Sequence, residues 1–199
     1  MNDMPRAWQR MLSGRRLDLL NPSPLDVEFE DIAHGLARVA RWNGQTSGPH
    51  AFSVAQHSLL VEHIAAQVSP SISAEVRLYA VLHDAAEYVI GDMISPFKAA
   101  VGGDYKAVEA RLAAAIHLRA GLAASAPEAT RKLIKKADRI AAFLEATALA
   151  GFADHEAERL FERPRNVAIE PAHLQPLATP KAQNAFLERV QQLESETSR

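Results

Sequence analysis

The stretch Ser53 to Val68, SVAQHSLLVEHIAAQV, begins with a serine that can cap a helix and continues with apolar residues at helical spacing. Val54, Val61 and Ile64 fall on one stripe, which predicts a helix that turns this face towards a core. His57 lies on the same stripe, three residues after Val54 and four before Val61. The stretch therefore predicts an amphipathic helix with an imidazole on its buried face.

Helical patterns extend over most of the chain on both sides of this stretch. Alanine is the commonest residue and aromatic residues make up only 6% of the chain, which favours helices over sheets. The segment 21–30 reads as a loop with at most a short extended piece. We predict a single all-α domain with an N-terminal arm (1–30), a helical core (31–150) and C-terminal helices (151–199). The predicted helices are Asp31–Trp42, Ser53–Val68, Ser73–Ile90, Tyr105–Leu118, Ala126–Ala150, Asp154–Phe161 and Pro180 to about Leu193.

Composition excludes several classes of protein. The 199 residues include 22 Lys plus Arg against 24 Asp plus Glu, and this balance argues against a dedicated nucleic-acid binder. The absence of cysteine excludes disulfides, thiolate zinc sites and a cysteine nucleophile, so any metal must be held by the 8 histidines and the carboxylates. The first twenty residues lack the apolar stretch of a secretory signal, and no apolar run is long enough to span a bilayer. We therefore expect a cytoplasmic protein with no membrane partner.

Four ligand-type residues stand among apolar neighbours: His57, His83, Asp84 and Asp138. Burying any of them unpaired would be costly, and a shared divalent cation would offset that cost for all four together. Each also has an ordinary explanation. A lone core histidine is more often simply hydrogen-bonded, and Asp138 has three basic neighbours on its own helix with which it could form an ion pair. Periodicity does not show whether the three helices converge.

Further polar residues surround the same region. Glu87 comes four residues after His83, and Asp92 lies just past the end of that predicted helix. Two carboxylates beside a metal suit the activation of water and the handling of a leaving-group proton. Lys98 on the following loop and Arg41 on the earlier helix supply the positive charge that a phosphate needs.

The order of these residues resembles the H…HD…D signature of the HD-domain metal-dependent phosphohydrolases. The similarity is closer still to the bacterial 5′-deoxyribonucleotidase (YfbR-like) branch, and it covers about Asp31 to Glu145. Gln56 stands where that branch more commonly has Glu. The matching motifs are Arg41-Trp42, Ser53-Val54-Ala55-Gln56-His57-Ser58, His83-Asp84-Ala85-Ala86-Glu87, Gly91-Asp92, Pro96-Phe97-Lys98 and Lys135-Lys136-Ala137-Asp138.

The resemblance implies a helical HD fold and a set of residue roles. Arg41 would hold the phosphate, with Lys98 as a further substrate-binding cation, and Trp42 would pack near the sugar and disfavour a 2′-hydroxyl. Glu87 and Asp92 would carry the acid and base work. One divalent ion (Mn, Co, Fe, Zn, Ni or Mg) would be bound by His57, His83, Asp84 and Asp138.

The leading hypothesis is a phosphohydrolase acting on a nucleotide, with a 5′-deoxyribonucleoside monophosphate as substrate. Three alternatives remain open: a nucleoside triphosphate or alarmone pyrophosphohydrolase, a non-catalytic nucleotide-binding regulator, and a helical structural protein without metal. A homodimer is expected if the apolar residues Phe186, Leu187 and Val190 of the final helix are exposed. His63 is expected on the exposed side of its helix, and His34, Arg38 and Arg41 on one helix face, which is either solvated or turned towards phosphate.

Overall fold

The computed structural model describes residues 7–93 and 103–198, and within these ranges the fold is predominantly α-helical. One small antiparallel sheet pairs Trp8 with Asp18 and Arg10 with Arg16. The prediction of an all-α fold is therefore confirmed. The strands are β1 (Trp8–Arg10) and β2 (Arg16–Asp18), and the helices are α1 (Phe29–Leu36), α2 (Val54–Val68), α3 (Ala74–Val81), α4 (Glu87–Ile90), α5 (Gly103–Arg119), α6 (Glu128–Ala148), α7 (Asp154–Leu160) and α8 (Thr179–Thr197).

Helix α2 lies at the centre of the fold and packs against α3, α6 and α8. Its predicted apolar stripe is fully buried, with Val54, Val61 and Ile64 at 0% exposure. The side-chain oxygen of Ser53 accepts a hydrogen bond from the Gln56 N–H, as expected of a helix cap. Because α2 is surrounded by other helices, a polar residue on its stripe must find its partners inside the protein.

The predicted helix Asp31–Trp42 ends early, at Leu36. Beyond that point the backbone turns and pairs with the residues that precede α2: Ala40 forms an isolated bridge with Ser53, and the Arg41 N–H donates to the Phe52 carbonyl at 2.8 Å. A continuing helix would have used these backbone groups internally, so the pairing excludes it. Arg41 and Trp42 consequently lie in a separate 3₁₀ turn rather than on a helix face shared with His34 and Arg38.

The predicted helix Ser73–Ile90 is also interrupted. Helix α3 ends at Val81, and α4 begins only at Glu87. The His83 ring donates from Nδ1 to the Ala80 carbonyl at 2.9 Å, a side-chain bond that competes with continued helical pairing. His83 and Asp84 therefore lie in a turn, where their side chains are not forced apart by the 100° rotation of consecutive helical residues.

The N-terminal arm contains the β-hairpin formed by β1 and β2. Leu17 of β2 is fully buried in the main core. Asp31, in the first turn of α1, accepts hydrogen bonds from the backbone N–H and the hydroxyl of Ser13 at 3.0 and 2.5 Å. The arm is thus fixed to the main core by Leu17 and to α1 by the contact between Ser13 and Asp31. A 3₁₀ helix at Pro24–Asp26 connects the hairpin to α1.

The apolar face of α8 is used inside the chain. Phe186 and Val190 are completely buried, and Leu187 is partly buried against the same core. The exposure on which the homodimer expectation rested is therefore absent, and the homodimer itself stays a prediction. Among the described residues, no helix is both long and apolar enough to cross a membrane.

Helices α1 and α4 approach each other closely at Gly35. A Cβ atom added at Gly35 would lie 2.8 Å from both the Cβ and the carbonyl oxygen of Tyr88, which follows Glu87 in α4. We expect Gly35→Ala to lower the free energy of unfolding by about 1–3 kcal/mol, because this clash outweighs the gain in helix propensity. Chemical denaturation would measure it. Glu30→Ala, at an exposed position of α1, is the control and should change the free energy of unfolding little. Equal stability of the two variants would contradict this close approach.

Two glutamines of α2 hold the segment between α7 and α8. The side-chain amide of Gln56 donates to the Gln175 carbonyl at 2.9 Å and accepts from the Leu177 N–H at 3.0 Å. Gln67 bonds both backbone groups of Ala168, each at 2.8 Å. A glutamine side chain offers both N–H donors and a carbonyl acceptor, whereas an ionised glutamate only accepts, so Gln56 suits this position.

His63 lies between these two anchors and is half-buried rather than exposed. Its ring stacks on that of His173, with centroids 4.3 Å apart. Burial lowers the pKa of His63, and the charges of His173 and Arg77 lower it further, while Glu62 and Glu170 act in the opposite direction. The net effect is a pKa below the usual value, so folding favours the neutral ring.

This lowered pKa predicts a pH-dependent melting temperature. The contribution of His63 to stability is complete above its unfolded pKa of about 6.5 and is lost as pH falls through the lower folded pKa. When the pH is lowered from 7.5 to 5.5, we expect the melting temperature of His63→Gln to fall less than that of the wild type. His155→Gln, at an exposed histidine of α7, should follow the wild-type curve. Parallel curves for all three proteins would show that His63 does not titrate in this way.

Candidate metal centre

Three parts of the fold bring the four predicted ligands together. His57 comes from the core of α2, His83 and Asp84 from the turn after α3, and Asp138 from the middle of α6. His57 Nε2 lies 3.3 Å from Asp138 Oδ1 and 3.5 Å from Asp84 Oδ2. His83 Nε2 lies 3.1 Å from the same Asp84 oxygen. The motif order in the sequence therefore corresponds to one cluster in space.

Both imidazoles are oriented by the nitrogen that faces away from the cluster. His83 donates from Nδ1 to the Ala80 carbonyl at 2.9 Å, and His57 Nδ1 lies 2.5 Å from Glu145 Oε1. With Nδ1 engaged in each ring, Nε2 is the nitrogen that points into the cluster. This is how the outer hydrogen bonds of metal-binding histidines fix the ring and its tautomer.

The residues fit a divalent metal ion. Ligand atoms of His57, His83 and Asp138 all lie within 4.8 Å of one another, so these three could hold one ion. Asp84 is outside that trio but contacts both imidazoles. Both Nε2 atoms are buried, and neither meets hydrogen-bond geometry with any described residue, although carboxylate oxygens of the cluster lie 3.1–3.5 Å away. Imidazole nitrogens with carboxylate oxygens are a donor set for Zn, Mn, Fe, Co or Ni.

The electrostatics of the cluster also favour a cation. Burial and the Arg41 charge lower the pKa of His57, but Glu145 and Asp138 outweigh them and raise it to about 10. Burial opposes ionisation of Asp84 and Asp138, yet the nearby imidazoles hold the pKa of both carboxyls below the usual range. The carboxylates that would keep a proton on His57 would equally attract a metal ion in its place.

Glu145 belongs to the site, although the sequence reasoning did not single it out as a functional residue. Its side chain is completely buried in α6 and accepts from three donors: His57 Nδ1 at 2.5 Å, Trp42 Nε1 at 2.9 Å and Arg41 Nε at 3.2 Å. Burial raises the pKa of Glu145, but the charges of His57 and Arg41 bring it down to about 2. Its spacing of seven residues from Asp138, which places both on one helix face, was the available signal.

Arg41 is held between two carboxylates from distant parts of the chain. Its Nη1 lies 2.9 Å from Asp92 Oδ2, and its Nε lies 3.2 Å from Glu145 Oε2. Burial lowers the pKa of Arg41, but these two carboxylates raise it above its usual range. A guanidinium has five N–H groups, and among the described residues only two of those of Arg41 are engaged, which leaves three for a phosphate. Asp92 therefore lies beside the predicted phosphate-binding residue.

Trp42 is fixed by both its ring and its backbone. The ring packs against Phe152 and Phe161, with centroids 5.7 Å away in each case. Its φ is 57°, and the next residue, Asn43, has a φ of 51°. Positive φ is costly for a bulky residue and persists where the surrounding contacts demand it. The Arg41-Trp42 pair is thus held in one geometry beside the cluster.

The remaining predicted residues have different outcomes. Glu87 is buried at 2% exposure at the start of α4, and its N–H donates to the Asp84 carbonyl. Lys98 lies outside the described residues. Arg38 donates to Gln183 at an exposed position, so it does not join Arg41 in a phosphate-facing stripe.

Within the described residues, Asp138 does not form the ion pair with a basic residue of its own helix that the sequence also allowed. Its close contact is with His57, at 3.3 Å. Of its basic neighbours on α6, Lys136 instead lies 4.0 Å from Glu162. Asp138 is thus directed towards the cluster rather than towards an ion pair on its own helix.

The sequence is similar to known proteins over most of its length. Residues 28–188 match the family model described as 5′-deoxynucleotidase YfbR-like, a range that includes every described site residue. An uncharacterized protein of Rhodobacter capsulatus is 55% identical over 186 residues, covering 94% of this chain and 95% of that protein. The uncharacterized protein YfdR of Escherichia coli is 32% identical over 168 residues, covering 84% and 85%. The chain belongs to the YfbR-like 5′-deoxynucleotidase family.

Proposed function

We propose that the protein is a metal-dependent phosphohydrolase that releases orthophosphate from a 5′-deoxyribonucleoside monophosphate. The observation that carries the proposal is the convergence of two buried Nε2 atoms and two carboxylates beside the Arg41-Trp42 pair. Family membership supports hydrolysis of the 5′-deoxynucleotidase type. Such a site joins a metal-binding cluster to a fixed cation, which are the two elements that a phosphate monoester requires.

His57, His83, Asp84 and Asp138 would hold the metal. When bound, the ion would polarise a phosphoryl oxygen and lower the pKa of a water molecule. The chain itself provides the orientation of the two imidazoles, through the Ala80 carbonyl and the Glu145 carboxylate described above. It also keeps His57 entirely away from bulk solvent.

Arg41 would bind the phosphate with its remaining N–H groups, and Glu87 would take the proton of the attacking water. The 2.9 Å ion pair with Arg41 favours a positioning role for Asp92, which would hold the guanidinium in place rather than share the proton transfer. Lys98 would add a second cation. Trp42, braced by its aromatic neighbours, would pack near the sugar and disfavour a 2′-hydroxyl.

A nucleotide panel with product identification tests this proposal. Metal-stripped protein would receive Mn²⁺, Co²⁺ or Mg²⁺. It would then be given the 5′-monophosphates of deoxyribonucleosides and of ribonucleosides, and the matching triphosphates. We expect orthophosphate and a nucleoside from the deoxyribonucleoside monophosphates, in the metal-supplemented samples only. Pyrophosphate as the product would favour the triphosphate or alarmone alternative. Nucleotide binding without any turnover would favour a regulator, and a protein that binds no metal would contradict the proposal.

A further inference from the structure

Glu145 uses both of its carboxylate oxygens on groups of the candidate site. Oε1 lies 2.5 Å from His57 Nδ1, while Oε2 accepts from Trp42 Nε1 at 2.9 Å and from Arg41 Nε at 3.2 Å. All three partners are donors, and Glu145 itself is completely buried. A buried carboxylate is stable only with such partners, so its position and theirs depend on one another.

The three donors belong to two different parts of the proposed machinery. His57 would be a metal ligand, whereas Arg41 and Trp42 would bind the substrate. Helix α6, which carries Glu145, also carries Asp138 one heptad earlier. One helix thus places a ligand in the cluster and a carboxylate behind it.

The backbone at Trp42 gives independent support. Trp42 and Asn43 both have positive φ, a conformation that costs on the order of 1–3 kcal/mol per residue and requires compensating contacts. The Nε1 bond to Glu145 and the packing on Phe152 and Phe161 are the contacts that fix the Trp42 side chain. Glu145 is the polar member of this set.

We propose that Glu145 is a positioning residue that couples the two halves of the site. Through Oε1 it sets the proton on His57 Nδ1, so that Nε2 faces the metal. Through Oε2 it holds the Arg41-Trp42 pair where the phosphate and sugar would bind. This inference rests on the proposed function, because that function gives His57, Arg41 and Trp42 their roles. Measuring the affinity for metal tests the inference without measuring turnover.

The isosteric variant Glu145→Gln would break this arrangement in one of two ways. If the amide oxygen stays on Trp42 and Arg41, the amide NH₂ faces His57 Nδ1 and forces the ring proton onto Nε2, which opposes metal binding. If the oxygen turns to His57, the NH₂ faces two other donors and displaces the Arg41-Trp42 pair. Two donors, one of them charged, favour the first orientation. We therefore expect the fold-loss of metal affinity in this variant to exceed the fold-increase of its KM for nucleotide.

The experiment compares Glu145→Gln with Glu62→Gln in the full-length protein. Glu62 is a matched control because it is also a buried carboxylate, paired with Arg77 and Arg189 away from the cluster. Chelator competition with Co²⁺ would give the dissociation constant, and thermal melting would report folding. We expect about 10–100-fold weaker metal binding in Glu145→Gln and less than about threefold change in Glu62→Gln.

Equal metal affinity in the wild type and a folded Glu145→Gln would overturn the proposal. A wild type that binds metal but does not hydrolyse nucleotides would contradict only the proposed function. Nitrogen NMR of the Zn²⁺-loaded wild type covers the case in which the variant does not fold. The His57 ring should then carry its proton on Nδ1, and a proton on Nε2 would equally overturn the inference.

Discussion

The Asp138→Asn variant is expected to lose the proposed metal-dependent nucleotide hydrolysis by a factor of about 10²–10⁴. Asp138 is a proposed ligand, and losing a ligand weakens the hold on a Lewis acid that supplies several kcal/mol of transition-state stabilisation. Asp138 Oδ1 lies 3.3 Å from His57 Nε2, inside the group of ligand atoms that could hold one ion. The substitution preserves shape but removes the charge and one ligand oxygen. Phosphate release under saturating nucleotide, together with metal content after gel filtration, would measure the effect.

Glu128→Gln is the matched control for this prediction. It removes one carboxylate from the same helix at an exposed position, where the ion pairs with Arg131 and Lys132 contribute little. We expect wild-type metal content and activity from it. Full metal-dependent activity in Asp138→Asn would show that the ion, if bound, is held elsewhere.

The helical architecture was predictable because it depends on local periodicity. The stripe of Val54, Val61 and Ile64 is buried as predicted, and Ser53 caps the helix that follows it. Periodicity predicted the wrong helix ends where the backbone bonds to residues that are distant in the sequence. The predicted helix does not continue to Trp42, because the Arg41 N–H donates to the Phe52 carbonyl instead of to a carbonyl of a helix.

The sequence predicted that four ligand-type residues could lie together, but it predicted neither their hydrogen-bond partners nor the part played by Glu145. The order of His57, His83, Asp84 and Asp138 indicated the cluster, whereas helical spacing alone left open whether their side chains converge. Sequence periodicity placed Arg41 with two surface residues of a helix. Its actual partners, Asp92 and Glu145, are 51 and 104 residues away and become neighbours only through packing. Glu145 looked like any other glutamate of a helix because its burial depends on α2.

The Arg41→Met variant is expected to lose much of the stability of the fold. It leaves the carboxylates of Asp92 and Glu145 without their shared cation, and the side chain of Glu145 has no exposure to water. Removing one partner of a buried ion pair costs about 3–5 kcal/mol in the free energy of unfolding. Chemical denaturation would measure this loss. Arg163→Met, which breaks exposed ion pairs with Asp154 and Glu158, should cost no more than about 1 kcal/mol.

Arg41→Lys separates the charge of Arg41 from its shape. An ammonium can neutralise one of the two carboxylates, but it has no planar fork with which to reach both and still face a phosphate. We therefore expect much of the lost stability to return while the KM for nucleotide remains well above that of the wild type. The KM would be measured with saturating metal and without denaturant, at a temperature where both variants are folded. If the lysine variant binds nucleotide like the wild type, then charge alone is sufficient, and the two carboxylates serve to stabilise the fold rather than to aim the guanidinium at the phosphate.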